Sequence, residues 1–154
     1  MGQYFEDLSV GDVFHSPRSV LMTRAEVIEF AREWDPQLYH IDDEAARESV
    51  VGEIFASAIH TLAISQKLAH ESGFFDVLPV VGLGLSAIEV PKPVLIGDRV
   101  RVRVTVMELR PSSSRPGLGV VTNRTELLNQ ADDVVMRFHL SELVRMRPTD
   151  TESA

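Results

Sequence analysis

The sequence contains no cysteine, and this absence removes several kinds of chemistry at once. A disulfide framework, a cysteine-based zinc site and a thiol nucleophile are all excluded. Covalent catalysis would have to use serine, threonine, lysine, aspartate or histidine. Because His15, His70 and His139 also lack the spacing of metal ligands, the sequence predicts no metal site.

Long apolar runs and positive charge are also scarce. No apolar run is long enough to cross a bilayer, and the first residues lack the basic region and apolar core of a signal peptide. The formal net charge is −8, whereas nucleic-acid binding needs clustered lysine and arginine to neutralise phosphates. We therefore expect a cytoplasmic protein that binds neither membranes nor nucleic acids.

The length of 154 residues is enough for one domain with a sizeable hydrophobic core. We expect residues 1–148 to form this single domain. Residues 149–154 are mostly polar and are expected to form a flexible tail.

Helix signals dominate the first half of the chain. Thr23 and Glu26 match a capping box, which predicts a helix from about Arg24 to Glu33. Asp42 resembles the N-cap of a second, short helix. The segment from Ile54 to His70 has apolar residues around most of the helix circumference, which predicts a long helix buried on nearly all sides.

Strand signals dominate the second half. Valines alternate with mostly polar residues from Val100 to Met107, which is typical of a half-buried strand. An end strand interrupted by Pro17 is predicted within Val13–Met22, and further strands within Leu83–Val90, Gly119–Leu128 and Val134–Val144. Strands that follow helices without βαβ alternation imply an α+β protein with an antiparallel sheet. Wrapping that sheet around the long helix is the simplest way to bury both.

The loop after the first predicted helix carries the candidate chemistry. Asp35 and His40 lie five positions apart among bulky apolar residues. A carboxylate and an imidazole held together can share a water molecule and divide acid and base roles near neutral pH. The alternative is that Asp35 only ends the helix before Pro36 and that His40 only packs its ring.

Four segments resemble one family in the same order along the chain. The segment DPQLYHID, from Asp35 to Asp42, is similar to the signature of the MaoC-like acyl dehydratases and (R)-specific enoyl-CoA hydratases. The other three are YFEDLSVGD at residues 4–12, GEIFASAIHT at residues 52–61 and PVLIGDRV at residues 93–100. Gln37 and Leu38 stand where the family signature has Asn and Pro, and Glu53 and Ala58 replace two common glycines.

The resemblance implies a hot-dog fold, with an antiparallel sheet wrapped around a long central helix. It also implies a homodimer or larger homo-oligomer, a CoA or acyl-carrier thioester as substrate, and no protein-bound cofactor. In that family an Asp and a His at this separation form the catalytic pair. The implied reaction is reversible addition of water to a trans-2-enoyl thioester, which gives a 3-hydroxyacyl thioester.

The resemblance also suggests roles for individual residues. His40 would take a proton from water and Asp35 would deliver one to the α-carbon, although the two roles are open to reversal. Backbone amides around Gly52, Glu53 and Ile54 are candidates for an oxyanion hole at the positive end of the central helix, although a plain turn explains Gly52 equally well. The remaining candidates for substrate contact are Gln37, Tyr39, Ser57 and His60, and Trp34, Leu38 and Tyr39 are candidates for the acyl pocket wall.

Two other functions stay open. Thioesterases of the same fold act on the same class of thioester, but they usually place their carboxylate on the central helix, where this chain offers Ser57, His60 and Thr61. A non-catalytic module that only binds acyl-CoA is the second alternative. The replacements Gln37, Glu53 and Ala58 favour it, whereas the presence of both Asp35 and His40 speaks against it.

Overall fold

A computed structural model describes residues 2–149, in which an antiparallel sheet wraps around one helix. The predicted tail at residues 149–154 lies outside the described residues except for Thr149. The helices are α1 (Arg24–Trp34), α2 (Asp43–Glu48) and α3 (Ala58–Glu71), and short 3₁₀ turns occupy Phe5–Asp7, Leu38–His40 and Phe74–Asp76. The strands are β1 (Val13–His15), β2 (Val20–Leu21), β3 (Pro79–Glu89), β4 (Arg99–Pro111), β5 (Leu118–Leu128) and β6 (Val134–Arg145).

The sheet has the order β1-β4-β5-β6-β3, with β2 also paired to β4, and every pairing is antiparallel. The strand predicted within Val13–Met22 is divided into β1 and β2 around Pro17, whose missing amide hydrogen interrupts the ladder. Both halves pair with the same strand. β3 forms the opposite edge of the sheet.

The alternation on β4 is confirmed. Val100, Val102, Val104 and Val106 are all fully buried and face the core, whereas the intervening residues are at least partly exposed. Burial of an aliphatic side chain of this size stabilises a fold by roughly 1.5–3 kcal/mol. These valines and Phe138 of β6 therefore hold the sheet against the interior helix.

The helix predicted from the capping box at Thr23 is confirmed, and the one difference lies in the hydrogen bond that Glu26 makes. The hydroxyl of Thr23 accepts a hydrogen bond from the amide of Glu26 at 3.3 Å, as an N-cap does. The carboxylate of Glu26 accepts from that same hydroxyl at 2.8 Å. α1 therefore starts at Arg24, as predicted, and continues to Trp34.

The prediction that the central helix starts at Ile54 and is buried on nearly all sides is wrong in both respects. Ser57 is the N-cap, so α3 starts at Ala58 and residues 54–57 form a loop. Ile59 is 53% exposed, and Leu62 and Ala63 also lie on the side that the sheet leaves uncovered. The helix is apolar all round because it has two apolar surfaces, of which only one packs on its own sheet.

The antiparallel sheet wrapped around α3 is the hot-dog fold, which confirms the fold that the resemblance implied. Among the described residues, no helix combines the length and the apolar character needed to span a membrane. The wrapping leaves the loops before α3 and before β4 side by side, and the candidate site lies between them.

Candidate active site

Asp35 and His40 are brought together by the break that follows α1. Asp35 is the C-cap of α1, and Pro36 prevents the helix from continuing. The chain then turns through the 3₁₀ segment Leu38–His40, in which the amide of His40 donates to the carbonyl of Gln37. As a result, Nε2 of His40 lies 3.6 Å from Oδ2 of Asp35. This separation is too long for a direct hydrogen bond and is suited to a shared water or substrate atom.

The imidazole of His40 is held in one tautomer. Its Nδ1 lies 2.7 Å from the carbonyl oxygen of Phe55, and a carbonyl can only accept a hydrogen bond. Nδ1 therefore carries a hydrogen, and in the neutral form of the ring the nitrogen without a hydrogen is Nε2, which faces Asp35. His40 is only 4% exposed, so this geometry is shielded from competing water.

Aromatic rings fix the plane of His40 as well. Tyr39 and Phe55 both meet the imidazole edge-on, with ring centroids 4.6 Å away, and they stack on each other at 5.3 Å. Such edge-to-face contacts favour one ring orientation over others. The base candidate is thus restrained by packing and by a hydrogen bond.

Asp35 is oriented by Ser57. The hydroxyl of Ser57 donates to Oδ2 of Asp35 at 2.6 Å and accepts from the amide of Ile59 at 3.2 Å. Ser57 is fully buried and caps the N-terminus of α3. The Asp35 carboxylate is therefore held by a hydrogen bond to the residue that caps the central helix.

A cavity of about 370 Å³ opens beside these groups, and its wall is mostly apolar. It is lined by Asp35, Tyr39, His40, Val51, Phe55, Ala56, Ala58, Thr61, Val90, Pro93 and Val94. Small-molecule sites commonly combine an apolar wall with a few converging polar groups. The carboxylate of Asp35 and the imidazole of His40 are polar groups that line this cavity.

Several predicted residues lie elsewhere. Gly52 and Glu53 are exposed and do not line the cavity, while Ile54 is buried in the hydrophobic core. Gln37 is exposed, and of the three expected wall residues only Tyr39 lines the cavity. Because α3 starts four residues later than predicted, its positive end lies at Ser57 and Ala58 instead of at the loop around Gly52.

His60 faces α1 instead of the cavity. Its ring stacks on Phe30 with centroids 4.4 Å apart, and its Nδ1 has no hydrogen-bond partner among the described residues. Burial lowers the pKa of His60, and the nearby carboxylate of Glu26 opposes this shift only in part. His60 therefore contributes to the contact between α1 and α3 by stacking on Phe30.

No sequence pattern indicates the backbone part of the site. The Phe55 carbonyl that selects the His40 tautomer is invisible in a side-chain pattern, although Phe55 lies in a segment that carried the resemblance. Val51 and Val90 come from two separate loops and carry no motif. Thr61 could have been found, because it lies one helical turn after Ser57 on the same face of α3. Within residues 2–149, no cluster of three or more metal-ligating side chains is present.

The amino-acid sequence is similar to a known family and to a known protein over most of its length. The model of a family described as MaoC like domain matches residues 7–127. The uncharacterized protein YdeM of Bacillus subtilis (strain 168) is 33% identical over 140 residues, which cover 91% of this chain and 97% of the relative. The similarity therefore extends over nearly the whole of both chains.

Solved structures agree with these matches. The MaoC-like dehydratase from Rhodospirillum rubrum is 40% identical with a TM-score of 0.87, and the alignment covers 96% of this chain and 100% of that chain. The unliganded R-hydratase PhaJ1 from Pseudomonas aeruginosa is 19% identical with a TM-score of 0.73, and the alignment covers 95% and 88% of the two chains. At that identity the second likeness shows a shared fold only.

Proposed function

The chain belongs to the MaoC-like domain family, and on that premise we propose that it is a hydratase or dehydratase that interconverts trans-2-enoyl and 3-hydroxyacyl thioesters. One observation carries the proposal. The Phe55 carbonyl holds His40 so that an unprotonated Nε2 faces Oδ2 of Asp35 across 3.6 Å in an apolar cavity.

In the hydration direction, His40 acts first on water. A water molecule between His40 and Asp35 gives a proton to Nε2 of His40, and its oxygen bonds to the β-carbon of the enoyl thioester. The resulting imidazolium keeps its Nδ1–H bond to the Phe55 carbonyl, so the ring does not have to rotate. Dehydration follows the same path in reverse.

Asp35 completes the addition at the neighbouring carbon. In its protonated form it gives a proton to the α-carbon, and the proton held by His40 then restores Asp35, so that one water molecule is added overall. The hydrogen bond from Ser57 holds Oδ2 in place during both transfers. The reverse division of roles between Asp35 and His40 uses the same geometry, because Nε2 of His40 and Oδ2 of Asp35 lie 3.6 Å apart.

The thioester oxygen gains negative charge during the reaction and needs a positive environment. We place this oxygen beside Ala58, which lines the cavity at the N-terminus of α3. The positive end of a helix of 14 residues stabilises such a charge, and the apolar wall strengthens the effect by excluding water. Gly52, Glu53 and Ile54, which the sequence suggested for this role, do not line the cavity.

The substrate class follows from the wall of the cavity. Tyr39, Val51, Val90 and Val94 present apolar surface to an acyl chain, and the volume of about 370 Å³ fits a short or medium acyl group. The thioester arm would bring its own CoA or acyl carrier, so no cofactor held by the protein is required.

We also propose that two copies of the chain pair through β3. All eleven residues of this edge strand are exposed in the single chain, and they include Val80, Val81, Leu83, Leu85 and Ile88. Beside them, Ile59, Leu62 and Ala63 of α3 form an apolar groove with Leu140. An unpaired edge next to an apolar surface of this extent is suited to a second copy of the same surface.

The test of the reaction is enoyl-thioester absorbance with crotonyl-CoA and longer and branched enoyl-CoAs. The wild-type protein should consume the enoyl absorbance, and Asp35→Asn and His40→Gln should each lower the rate by about a hundredfold or more. His15→Gln, an exposed histidine on β1, is the matched control and should keep the wild-type rate. Release of free CoA thiol would instead identify a thioesterase, and binding without turnover would identify a non-catalytic module.

A further inference from the structure

The hydrogen bond from His40 continues beyond the Phe55 carbonyl. The peptide group between Phe55 and Ala56 accepts from Nδ1 of His40 at 2.7 Å through its carbonyl. The N–H of the same peptide group donates to the carbonyl of Val94 at 2.8 Å. Because a peptide group is planar and rigid, the Val94 contact fixes the direction of the carbonyl that His40 uses.

A second peptide group carries the chain of bonds to a carboxylate. The Val94 carbonyl and the amide N–H of Leu95 belong to one peptide group, and that N–H donates to Oδ2 of Asp98 at 2.8 Å. The path from the imidazole to the carboxylate thus consists of three hydrogen bonds and two peptide groups. Asp98 does not line the cavity.

The carboxylate at the end of this path is held firmly. Asp98 is only 8% exposed, and its other oxygen accepts from Nε2 of Gln130 at 2.9 Å. Gln130 is fixed in turn, because its Oε1 accepts from the amide of Arg99 at 3.0 Å. The charge of Asp98 therefore stays at a fixed position relative to the two peptide groups.

All three hydrogen bonds point the same way. Each donor lies on the His40 side and each acceptor on the Asp98 side, so the negative charge of Asp98 polarises both carbonyls in the same sense. Hydrogen bonds in such a chain strengthen one another. The carbonyl of Phe55 becomes a better acceptor and stabilises a positive imidazole more than an isolated carbonyl would.

We propose that Asp98 is a positioning residue for His40, which it holds in the Nδ1–H tautomer and stabilises as the imidazolium through the Phe55–Ala56 and Val94–Leu95 peptide groups. The role in turnover rests on the proposed function, because it requires His40 to be the base. The effect on the tautomer of His40 is a property of the fold and does not depend on turnover. Asp35 and Tyr39 are the other titratable groups that face the His40 ring, and neither takes part in the path.

The chain contains a matched control for Asp98. Asp12 also follows a glycine with positive φ, and its Oδ2 accepts from the amide of Ser9, three residues earlier, at 2.8 Å. The Asp98 turn has the same glycine and the same spacing to Leu95. Asp12 makes no hydrogen bond in the path to His40. Asp12→Asn therefore measures the effect of changing the carboxylate in such a turn when the path to His40 stays intact.

The experiment compares Asp98→Asn with Asp12→Asn in the full chain by two readouts. The first is ¹⁵N NMR of histidine-labelled protein, which identifies the protonated ring nitrogen of His40. The second is the pH dependence of kcat with an enoyl-CoA. For Asp98→Asn we expect a mixture of tautomers, a kcat lowered by about tenfold with KM nearly unchanged, and an acid limb moved to lower pH by roughly half a pH unit to one unit. Asp12→Asn should match the wild type in both readouts.

A second variant covers the case in which Asp98→Asn does not fold. Gln130→Ala keeps the charge of Asp98 but removes the hydrogen bond that holds its other oxygen, so the carboxylate is less firmly fixed against the Leu95 amide. The His40 tautomer and the acid limb should therefore change in the same direction as in Asp98→Asn, by a smaller amount. The proposal is overturned when the folded variants keep the wild-type tautomer of His40 and the wild-type acid limb. A wild-type protein without turnover would refute the proposed function, and the NMR comparison would still decide whether Asp98 controls the tautomer.

Discussion

The hydroxyl of Ser57 donates a hydrogen bond of 2.6 Å to Oδ2 of Asp35, and Ser57 is also the residue that caps α3. One side chain thus performs a structural task and a positioning task. The two tasks can be separated by experiment, because α1 has an N-cap of the same kind at Thr23 that does not touch Asp35.

Ser57→Ala should lose both stability and activity. Loss of an N-cap costs about 1 kcal/mol in the free energy of unfolding, and an unrestrained Asp35 should lower kcat by about tenfold. Thr23→Ala should cost a similar amount of stability and leave kcat close to the wild-type value. Urea unfolding and enoyl-CoA kinetics of the two variants provide the comparison. Equal loss of kcat in both variants would show that Ser57 acts only through helix stability.

Glu142 of β6 should make the fold less stable as the pH rises. Burial raises its pKa to about 7 from 4.5, and it is 4% exposed with one oxygen that has no partner among the described residues. A carboxyl with a raised pKa in the folded state binds a proton that the unfolded chain has lost. Its destabilising effect is therefore absent below pH 4.5, grows as the pH rises to about 7 and is constant above that.

Glu142→Gln removes this charge and keeps the size of the side chain. Above pH 7 it should raise the free energy of unfolding by up to about 3 kcal/mol, and the gain should disappear below pH 4.5. Urea unfolding at several pH values measures the difference. Glu108→Gln, at a carboxyl that is 61% exposed, is the control and should show no comparable pH-dependent gain. A gain at Glu142 that is independent of pH would refute the assignment.

The sequence was informative where structure depends on near neighbours. The cap at Thr23 and the valine alternation on β4 are local patterns, and both predicted their elements well. It also placed Asp35 and His40 in one loop, which the 3₁₀ turn then brings to 3.6 Å. Contacts between distant segments were not predictable in the same way, because the acceptor for His40 is a backbone carbonyl that every residue type possesses.

The start of α3 shows a second limit. Apolar residues at 54–56 continue the hydrophobic pattern of α3. Ile54 and Ala56 nevertheless belong to the loop before α3, and they are buried in the core as part of that loop. A hydrophobic pattern records burial and does not say which element buries the residue. The same limit applies to His60. Its position in the helix did not predict that its ring would pack against Phe30 of α1.

His60 should influence the stability of the fold more than the reaction. Its pKa is lowered by burial, so the folded state binds fewer protons than the unfolded chain, and stability falls as the pH drops below 6.5. His60→Gln should reduce this pH dependence and keep kcat within about threefold of the wild type, because the side chain does not line the cavity. Unfolding between pH 5 and 8 and enoyl-CoA kinetics test the two statements. A loss of kcat as large as that in His40→Gln would assign His60 to the substrate site.

The pairing through β3 can be tested without reference to the reaction. Leu85 is 47% exposed, lies on the edge strand and lines the apolar groove with Ile59 and Leu140 of the same chain. Leu85→Lys would place a charge in the proposed interface, where an unpaired charge is costly to bury, so the assembly should dissociate to monomers.

The matched control is Val10→Lys. Val10 is 63% exposed, and the amide of the neighbouring Gly11 donates a hydrogen bond to β4. Two strands separate β4 from β3, so Val10 lies away from the proposed interface. Sedimentation at several protein concentrations should give a dimer or larger assembly for the wild type and Val10→Lys, and a monomer for Leu85→Lys. A monomeric wild type would refute the pairing. An assembly that survives Leu85→Lys would place the interface on another surface, because a lysine at this position would disrupt only an interface that includes β3.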